Sequence, residues 1–389
     1  MSRRRRLRLG MVGGGPDALI GAVHRLAARM DDQFELVAGC FASTPERSLA
    51  GAAEIGVPPE RAYGSYAVMV ERERDRSDRI DAVAIVTPNH LHLPVSAAFL
   101  AAGFDVICDK PLTRTVAEGE DLVRAVEDSG RVFVLTHNYT AYPMVREARV
   151  LVAAGALGRL RMVQVEYPQD WLSTPVDLQG HKQAEWRTDP ARSGPGGTVA
   201  DIGSHAHNLA CFVSGLDLLE VAADVNILVP GRRLDDNVHA MLRFEQGVTG
   251  MLWASQVAPG HANSLRLRVY GEKGSLAWAQ EDPGVLHHAA LGEAPRAIAR
   301  GSAVAGPAAA RLTRIPNGCP EGFLEGFANI YRDAAELIWA RIEGRKPDPE
   351  AALVPGVREG LAGMRFIEAV LASGKNNGAW TKLAPQGGN

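Results

Sequence analysis

Short, mainly apolar runs alternate with amphipathic stretches along the first third of the chain. The apolar runs begin at Leu7 and recur at residues 34–41, 80–87, 105–108 and 132–136, which is typical of strands buried on both faces of a parallel sheet. Residues with helical spacing fill the intervals between them. The alternation predicts a doubly wound α/β domain over residues 1–138.

A helix is predicted over residues 143–154, and beyond it the apolar positions change to a two-residue period. We therefore predict a second domain over residues 139–389. Predicted strands cover residues 160–167, 220–229, 239–244, 248–255, 264–270 and 275–279. One helix interrupts them, and two amphipathic helices end the chain. Residues 282–320 are rich in Gly, Ala and Pro, which predicts a long loop with solvated histidines at 287 and 288. This domain is therefore expected to be α/β, with a large, open, mainly antiparallel sheet.

Three consecutive glycines follow the first apolar run and precede a helical pattern. Glycine at Gly13 and Gly15 permits a positive φ and a close approach of the backbone to a ligand. The N-terminus of the helix that follows favours an anion such as a pyrophosphate. Either Ala18 replaces the third glycine of a dinucleotide-binding turn, or the turn is extended to Gly21; an ordinary tight turn is the alternative to both.

The second strand is not followed by the acidic residue that normally binds the ribose 2′-hydroxyl. Ser43, Thr44 and Arg47 stand there instead, and they suit a 2′-phosphate, which favours NADP over NAD without excluding NAD. Thr44 and Pro45 are also typical of a helix start, and both interpretations are compatible.

Other polar residues follow the next strands of the predicted parallel sheet. Asn89 and His92 come after the third strand, and Asp109 and Lys110 come after the fourth. Ligands of open α/β sheets bind at the carboxyl ends of the strands. We therefore expect these residues to lie on the cofactor side.

A second polar stretch lies on the helix of the second domain. Asp201 and His205 are four residues apart and share a helical face, whereas His207 is turned away by about 200°. A carboxylate one turn from an imidazole can orient it and raise its basicity. A buried helix histidine, with Asp201 as a charge near the helix start, is the alternative, and no metal site is predicted.

The composition excludes several classes of partner. The net charge of −3 gives no broad field for nucleic acid or anionic membrane, and no apolar run reaches the roughly 18 residues that a membrane span requires. The four cysteines are widely spaced, which argues against disulfides and structural zinc. We expect a cytoplasmic protein.

Five motifs in this order and spacing resemble the Gfo/Idh/MocA family of sugar and inositol oxidoreductases: GMVGGG…IGAVHR, TPNHLH, DKP, WRTDP…GPGG and DIGSHAHNL. The resemblance covers nearly the whole chain. It implies a Rossmann domain, a nicotinamide cofactor (NAD or NADP), and a second domain whose open sheet forms a homodimer or homotetramer.

The resemblance also assigns residues. Lys110 matches the lysine of an E-K-P motif in which Asp109 replaces glutamate, and Asn208 stands where many members carry Asp. The predicted cofactor-binding residues are Gly13, Gly15, Ala18, Ile20, Ser43, Thr44, Arg47, Thr87, Asn89, His92, Asp109, Lys110, Asn138, Trp186 and Arg187. The predicted substrate-binding residues are Lys110, Tyr139, Asp201, His205 and Asn208, with Lys110, Asp201 and His205 as catalytic residues.

These residues lead to a hypothesis of reversible oxidation of a secondary alcohol on a sugar, sugar derivative or cyclitol. His205 would take the hydroxyl proton, Asp201 would fix the imidazole tautomer, and Lys110 would bind the reacting oxygen. Convergence of the Lys110 amine and the His205 imidazole beside the nicotinamide is required. Two alternatives remain: a glycoside-cleaving enzyme that oxidises a sugar transiently with tightly bound NAD, and a non-catalytic regulator that senses the cofactor.

Overall fold

The computed structural model describes residues 4–384. The strands are β1 (Leu7–Gly13), β2 (Phe34–Cys40), β3 (Ala82–Val86), β4 (Asp105–Cys108), β5 (Phe133–Leu135), β6 (Leu160–Pro168), β7 (Leu218–Asn226), β8 (Asn237–Phe244), β9 (Thr249–Ser255), β10 (Arg266–Gly271), β11 (Gly274–Ala279), β12 (Val285–Ala290), β13 (Arg296–Ala299) and β14 (Thr381–Lys382). The helices are α1 (Leu19–Met30), α2 (Pro45–Ile55), α3 (Tyr66–Arg74), α4 (His92–Ala101), α5 (Val116–Ser129), α6 (Pro143–Ala153), α7 (Lys182–Arg187), α8 (Pro190–Ser193), α9 (Ser204–Ser214), α10 (Pro307–Leu312), α11 (Phe323–Glu343) and α12 (Val357–Lys375).

The chain forms two compact units. The first contains the chain up to Thr113 together with Ala117–Asn138 and Phe323–Leu361. The second contains Arg114–Val116, Tyr139–Gly322 and the chain from Ala362 onward. The chain therefore returns to the first unit after completing most of the second, and the division at residues 138 and 139 into two consecutive domains stays a prediction.

The first unit contains a five-stranded parallel sheet in the order β2-β1-β3-β4-β5, which confirms the predicted doubly wound class. All five residues of β3 are buried, as expected for a central strand with both faces covered. The strand order reverses between β1 and β3, and ligands of such sheets bind at the carboxyl ends beside this switch point. Gly13 lies opposite Val86 there.

Helix α11 packs against α1 and completes the core of the first unit. The His24 Nδ1 atom lies 2.8 Å from the Tyr331 hydroxyl, and the His24 ring meets the Phe327 ring at 5.1 Å. Arg341 of α11 also donates to the buried carboxylate of Asp105 at 2.7 Å. The apolar face of this helix, which is one of the two amphipathic helices predicted at the end of the chain, is thus a packing face.

The second unit contains a nine-stranded sheet in the order β13-β12-β11-β10-β6-β9-β8-β7-β14. Within the described residues, β6 and β9 are its only parallel pair, so the prediction of an open, mainly antiparallel sheet is confirmed. The prediction of a long loop over residues 282–320 is wrong, because β12, β13 and α10 lie there. His287 and His288 belong to β12, where His287 is exposed and His288 is half-buried.

Helices α6 and α9 cover one face of this sheet. The other face carries exposed apolar side chains, among them Met241 at 55% and Met251 at 46% exposure, which are register partners on β8 and β9. Across residues 4–384, every helix is too short or too polar to cross a bilayer.

Candidate active site

The glycine turn after β1 has two residues with positive φ. These are Gly13 at +80° and Gly14 at +63°, so the expectation of a positive φ at Gly15 is wrong. Gly15 is needed for space instead, because a Cβ there would lie 2.8 Å from the Phe41 carbonyl oxygen. A Cβ on Gly13 would lie 2.3 Å from the Val86 carbonyl oxygen. The turn therefore tolerates no side chain at either position.

Gly21 takes the place of the third glycine of the motif. A Cβ on Gly21 would lie 2.3 Å from the Gly14 carbonyl oxygen, so α1 packs directly onto the turn. Ala18 precedes the first residue of α1 as its N-cap, and Ile20 lies in the first turn of the helix. Of the two readings of the motif, the geometry supports the extended turn. Its bare backbone beside a helix N-terminus fits a pyrophosphate.

The polar side chains predicted to bind the ribose lie on the surface just after β2. Ser43, Thr44 and Arg47 are exposed. Pro45 is the first residue of α2, as predicted, but the Thr44 side chain makes no capping hydrogen bond. These groups suit the ribose or a 2′-phosphate.

Two orphaned polar atoms lie near the carboxyl edge of the parallel sheet. Thr87 Oγ1 and Asn138 Nδ2 are buried, and neither has a hydrogen-bond partner among the described residues. They follow β3 and β5, and the buried Asn89 lies two residues after Thr87. A bound nucleotide would satisfy such atoms, because unpaired buried polar groups are costly.

His92 lies at the same edge and is fully buried. Its Nδ1 atom lies 2.8 Å from the Pro111 carbonyl oxygen, and its Nε2 atom lies 3.0 Å from the Thr87 carbonyl oxygen. Burial lowers the pKa of His92. The ring thus connects the turns after β3 and β4, so we expect it to support the cofactor site through these turns.

Asp109 and Lys110 follow β4. Asp109 Oδ1 accepts hydrogen bonds from the Lys110 backbone N–H at 3.0 Å and from the Thr136 hydroxyl at 2.8 Å. Asp109, which is shorter than the glutamate of the E-K-P motif, is therefore held by hydrogen bonds within the first unit. The Lys110 side chain is half-buried.

In the second unit, the predicted helix begins as a π-turn. Residues Val199–Gly203 form one wide π-turn that continues into α9, so Asp201 lies in the π-turn and His205 in the first turn of α9. Single π-turns inside helices are frequent at functional sites. Asp235 holds the start of this segment, because its carboxylate accepts from the Gly197 N–H at 2.6 Å and the Val199 N–H at 2.7 Å.

Two tyrosine rings flank His205, which is 8% exposed. The Tyr139 ring meets it edge-on at 4.8 Å, and the Tyr167 ring lies at 6.3 Å. His207 faces elsewhere, as predicted: its ring stacks on Phe366 at 4.6 Å, and burial lowers its pKa to about 4. The two histidines therefore have different surroundings.

Nitrogen atoms of Gln256 and Arg187 lie close to the Asp201 carboxylate. Its Oδ2 atom accepts from Gln256 Nε2 at 2.8 Å and lies 3.6 Å from Arg187 Nε. The Arg187 guanidinium stacks over Trp186 at 4.3 Å, so Arg187 is the member of the predicted W-R pair that lies beside Asp201. Asn208 is buried, and its Oδ1 atom has no hydrogen-bond partner within residues 4–384.

Four further residues of this site are not predicted from the sequence: Tyr167, Gln169, Gln256 and Asn263. Tyr167 lies on β6, and the two glutamines directly follow β6 and β9. The sequence places a glutamine after each of these strands, but only their parallel pairing shows that the two side chains meet.

Comparisons with known proteins identify the family of the chain. The family model for the Gfo/Idh/MocA oxidoreductases with an NAD-binding Rossmann fold matches residues 7–137, and the model for their C-terminal domain matches residues 145–277. The uncharacterized oxidoreductase YfiI of Bacillus subtilis is 30% identical over 97% of each chain.

Two solved structures are similar over nearly the whole chain. An oxidoreductase from Sinorhizobium meliloti is 50% identical with a TM-score of 0.89, covering 97% of this chain and all (100%) of that one. An inositol dehydrogenase homolog from Azotobacter vinelandii, solved with NADH and myo-inositol, is 31% identical with a TM-score of 0.88, covering 97% and 98%. The chain therefore belongs to the Gfo/Idh/MocA family and is a dehydrogenase with an NAD-binding Rossmann domain.

Proposed function

We propose that this dehydrogenase reversibly oxidises a secondary alcohol of a sugar, sugar derivative or cyclitol. The observation that carries the proposal is the segment with Asp201 and His205, where a flanked imidazole and a carboxylate lie on consecutive helical turns. Tyr139 and the buried amide of Asn208 add polar groups suited to a substrate with several hydroxyls. The similar Azotobacter protein was solved with such a cyclitol.

In this proposal His205 acts as the general base. Its imidazole takes the hydroxyl proton during oxidation and returns it during reduction, which is worth about 10² to 10⁴ in rate. Asp201 stabilises the imidazolium and selects its tautomer. When bound, the nicotinamide supplies the acceptor for the hydride.

Lys110 is proposed to donate a hydrogen bond to the reacting oxygen. An ammonium there would stabilise the negative charge that develops as the proton leaves. Asp109 would hold the turn that carries Lys110, because its carboxylate binds the Lys110 backbone N–H and the Thr136 hydroxyl. This role comes from the match to the family motif and remains a prediction.

NADP is the proposed cofactor, with NAD as the alternative. The residues between β2 and α2, 41–44, include no acidic residue, and Thr44 and Arg47 are exposed at the start of α2. Both would contact a 2′-phosphate, which carries charge that an arginine binds well. Mass spectrometry of nucleotide released from the purified protein would identify a retained cofactor.

The experiment is a screen of sugars and cyclitols with NAD and NADP, with reduced nucleotide followed by absorbance. We expect His205→Ala and Lys110→Ala each to lower kcat about 10²-fold or more, while nucleotide binding persists. Normal turnover in both variants would exclude these roles. Product release from a glycoside without accumulation of reduced nucleotide would favour the glycoside-cleaving alternative. Nucleotide binding with no turnover of any polyol would favour a regulator.

A further inference from the structure

Two glutamines lie side by side at the carboxyl ends of β6 and β9. These strands run parallel with Pro168 opposite Ser255, so the residues that follow them, Gln169 and Gln256, leave the sheet at the same edge. The Gln169 backbone N–H donates to the Ser255 carbonyl at 2.7 Å. The side chains meet where Gln256 Nε2 lies 3.4 Å from Gln169 Oε1.

The Gln256 amide has one favourable orientation. Its Nε2 atom donates to Asp201 Oδ2 at 2.8 Å, and its Oε1 atom accepts from the Thr198 hydroxyl at 2.9 Å. Both Thr198 and Gln256 are buried. The flipped amide would set an oxygen against the carboxylate oxygen, and two acceptors at that distance repel. The orientation therefore suits an ionised Asp201.

The polar contacts continue from Gln169 to the rings beside His205. Gln169 Nε2 donates to Asn263 Oδ1 at 2.8 Å, and the Tyr167 hydroxyl donates to the same oxygen at 2.7 Å. The Tyr139 hydroxyl lies 2.5 Å from that of Tyr167. Both rings flank His205, so a continuous chain of amides and hydroxyls joins them to the amide that binds Asp201.

We propose that Gln256 is a positioning residue for Asp201. The Gln256 amide keeps the Asp201 carboxylate ionised and holds it in the orientation that its proposed role beside His205 requires. The inference rests on the proposed function, because Asp201 and His205 are assigned their roles there. Arg187, at 3.6 Å, and the two buried tyrosines are further charged or titratable groups that face Asp201. Arg187 is more exposed than Gln256, so Gln256 is the better-ordered donor.

Two variants test the role in turnover. Gln256→Leu has a similar size but no donor, and we expect kcat for the alcohol to fall about tenfold to hundredfold at every pH, with KM for the nucleotide within about twofold. In Gln256→Glu the introduced carboxyl donates to Asp201 when protonated and repels it when ionised. Its kcat relative to wild type should therefore fall about tenfold or more between pH 5.5 and 8.5. If Gln256 had a merely structural role, kcat of both variants would fall by a factor that is independent of pH.

A measurement without substrate tests the contact itself. The melting temperature of Gln256→Glu relative to wild type should fall as the pH rises over the same range, since two carboxylates would face each other. Adding Asp201→Asn should remove this loss, because an amide at position 201 can donate to the introduced carboxylate. Gln164→Glu, on the other face of β6, controls for the added charge and should show no such dependence.

The outcomes separate the two proposals. A wild-type enzyme that oxidises no alcohol would contradict the proposed function, while the melting comparison would still show whether Gln256 and Asp201 are coupled. If the wild type is active, two results would overturn the positioning role alone. One is a kcat of Gln256→Leu within about twofold of wild type, and the other is a kcat of Gln256→Glu relative to wild type that does not change with pH.

Discussion

Asp235 holds the segment that leads to Asp201 and His205, and its ionisation should be visible in the stability of the protein. The carboxylate is buried and accepts hydrogen bonds from the Gly197 and Val199 N–H groups. Burial raises the pKa of Asp235 from 3.8 to about 6, and these two hydrogen bonds oppose the shift. Asp236 adds a smaller repulsion in the same direction as burial.

The direction of the effect follows from comparing the folded and unfolded states. Below pH 3.8 the carboxyl is neutral in both states, so its burial is not penalised. As the pH rises through about 6, the folded state is increasingly disfavoured. At about 1.36 kcal/mol per pH unit, the pKa difference corresponds to about 3 kcal/mol in total. About 1.4 kcal/mol of this loss falls between pH 5 and pH 8.

The perturbation is Asp235→Asn, which is neutral at every pH. The free energy of unfolding of wild type minus that of the variant should fall by about 1.4 kcal/mol from pH 5 to pH 8. Wild type should in addition be more stable than the variant by about 1 to 3 kcal/mol at every pH, because one amide oxygen cannot accept from both N–H groups as well as a carboxylate can.

Urea unfolding followed by tryptophan fluorescence is the assay. It reports mainly on the second unit, which contains five of the 6 tryptophans, the other being Trp339. Asp282→Asn, at an exposed carboxylate of the same unit, is the matched control and should give a flat difference. A flat difference for Asp235→Asn as well would refute the raised pKa.

Three further predictions concern other parts of the molecule. Gly21→Ala should weaken nucleotide binding about tenfold in calorimetric titration and destabilise the protein by about 1 to 3 kcal/mol, because the new Cβ overlaps the Gly14 carbonyl. In the control Gly363→Ala the new Cβ meets nothing within 4 Å, so neither binding nor stability should fall. Arg47→Ala should weaken NADP binding about tenfold and leave NAD binding unchanged; equal losses would exclude a 2′-phosphate contact. Met241→Asp should lower the sedimentation coefficient if the open sheet face joins two copies, whereas an unchanged coefficient would exclude this face as the interface.

The features predicted correctly from the sequence depend on local rules. The alternation of apolar runs and helical spacing predicts the parallel sheet because each strand and helix buries its own residues. The positive φ at Gly13 is predictable because a tight turn after a strand requires one there. The separation of His205 from His207 follows from helical geometry alone, and it survives the π-turn because both residues lie beyond it, in α9.

The features that were missed depend on partners far away in the chain. Strands β12 and β13 have no clean alternation, and their pairing with β11 and with each other defines them. No local pattern marks the π-turn at Val199–Gly203, whose start is bound by Asp235, a residue that follows β7 in the chain. The role of Gln256 is invisible until β6 and β9 are known to be parallel.

The nine-stranded sheet holds the segment with Asp201 and His205 at one edge and carries the exposed methionines on one face, and the two regions use different residues. The groups that hold the Asp201 segment are buried and come from strand ends, namely Asp235 before β8, Gln256 after β9 and, through the network, Tyr167 at the end of β6. Met241 lies in the middle of β8 on the exposed face. Because a strand sends successive side chains to opposite faces, a substitution on that face leaves the hydrogen bonds at the sheet edge in place. If Met241→Asp lowers the sedimentation coefficient, its kcat should therefore stay within about twofold of wild type, and a larger loss would contradict the independence of the two faces.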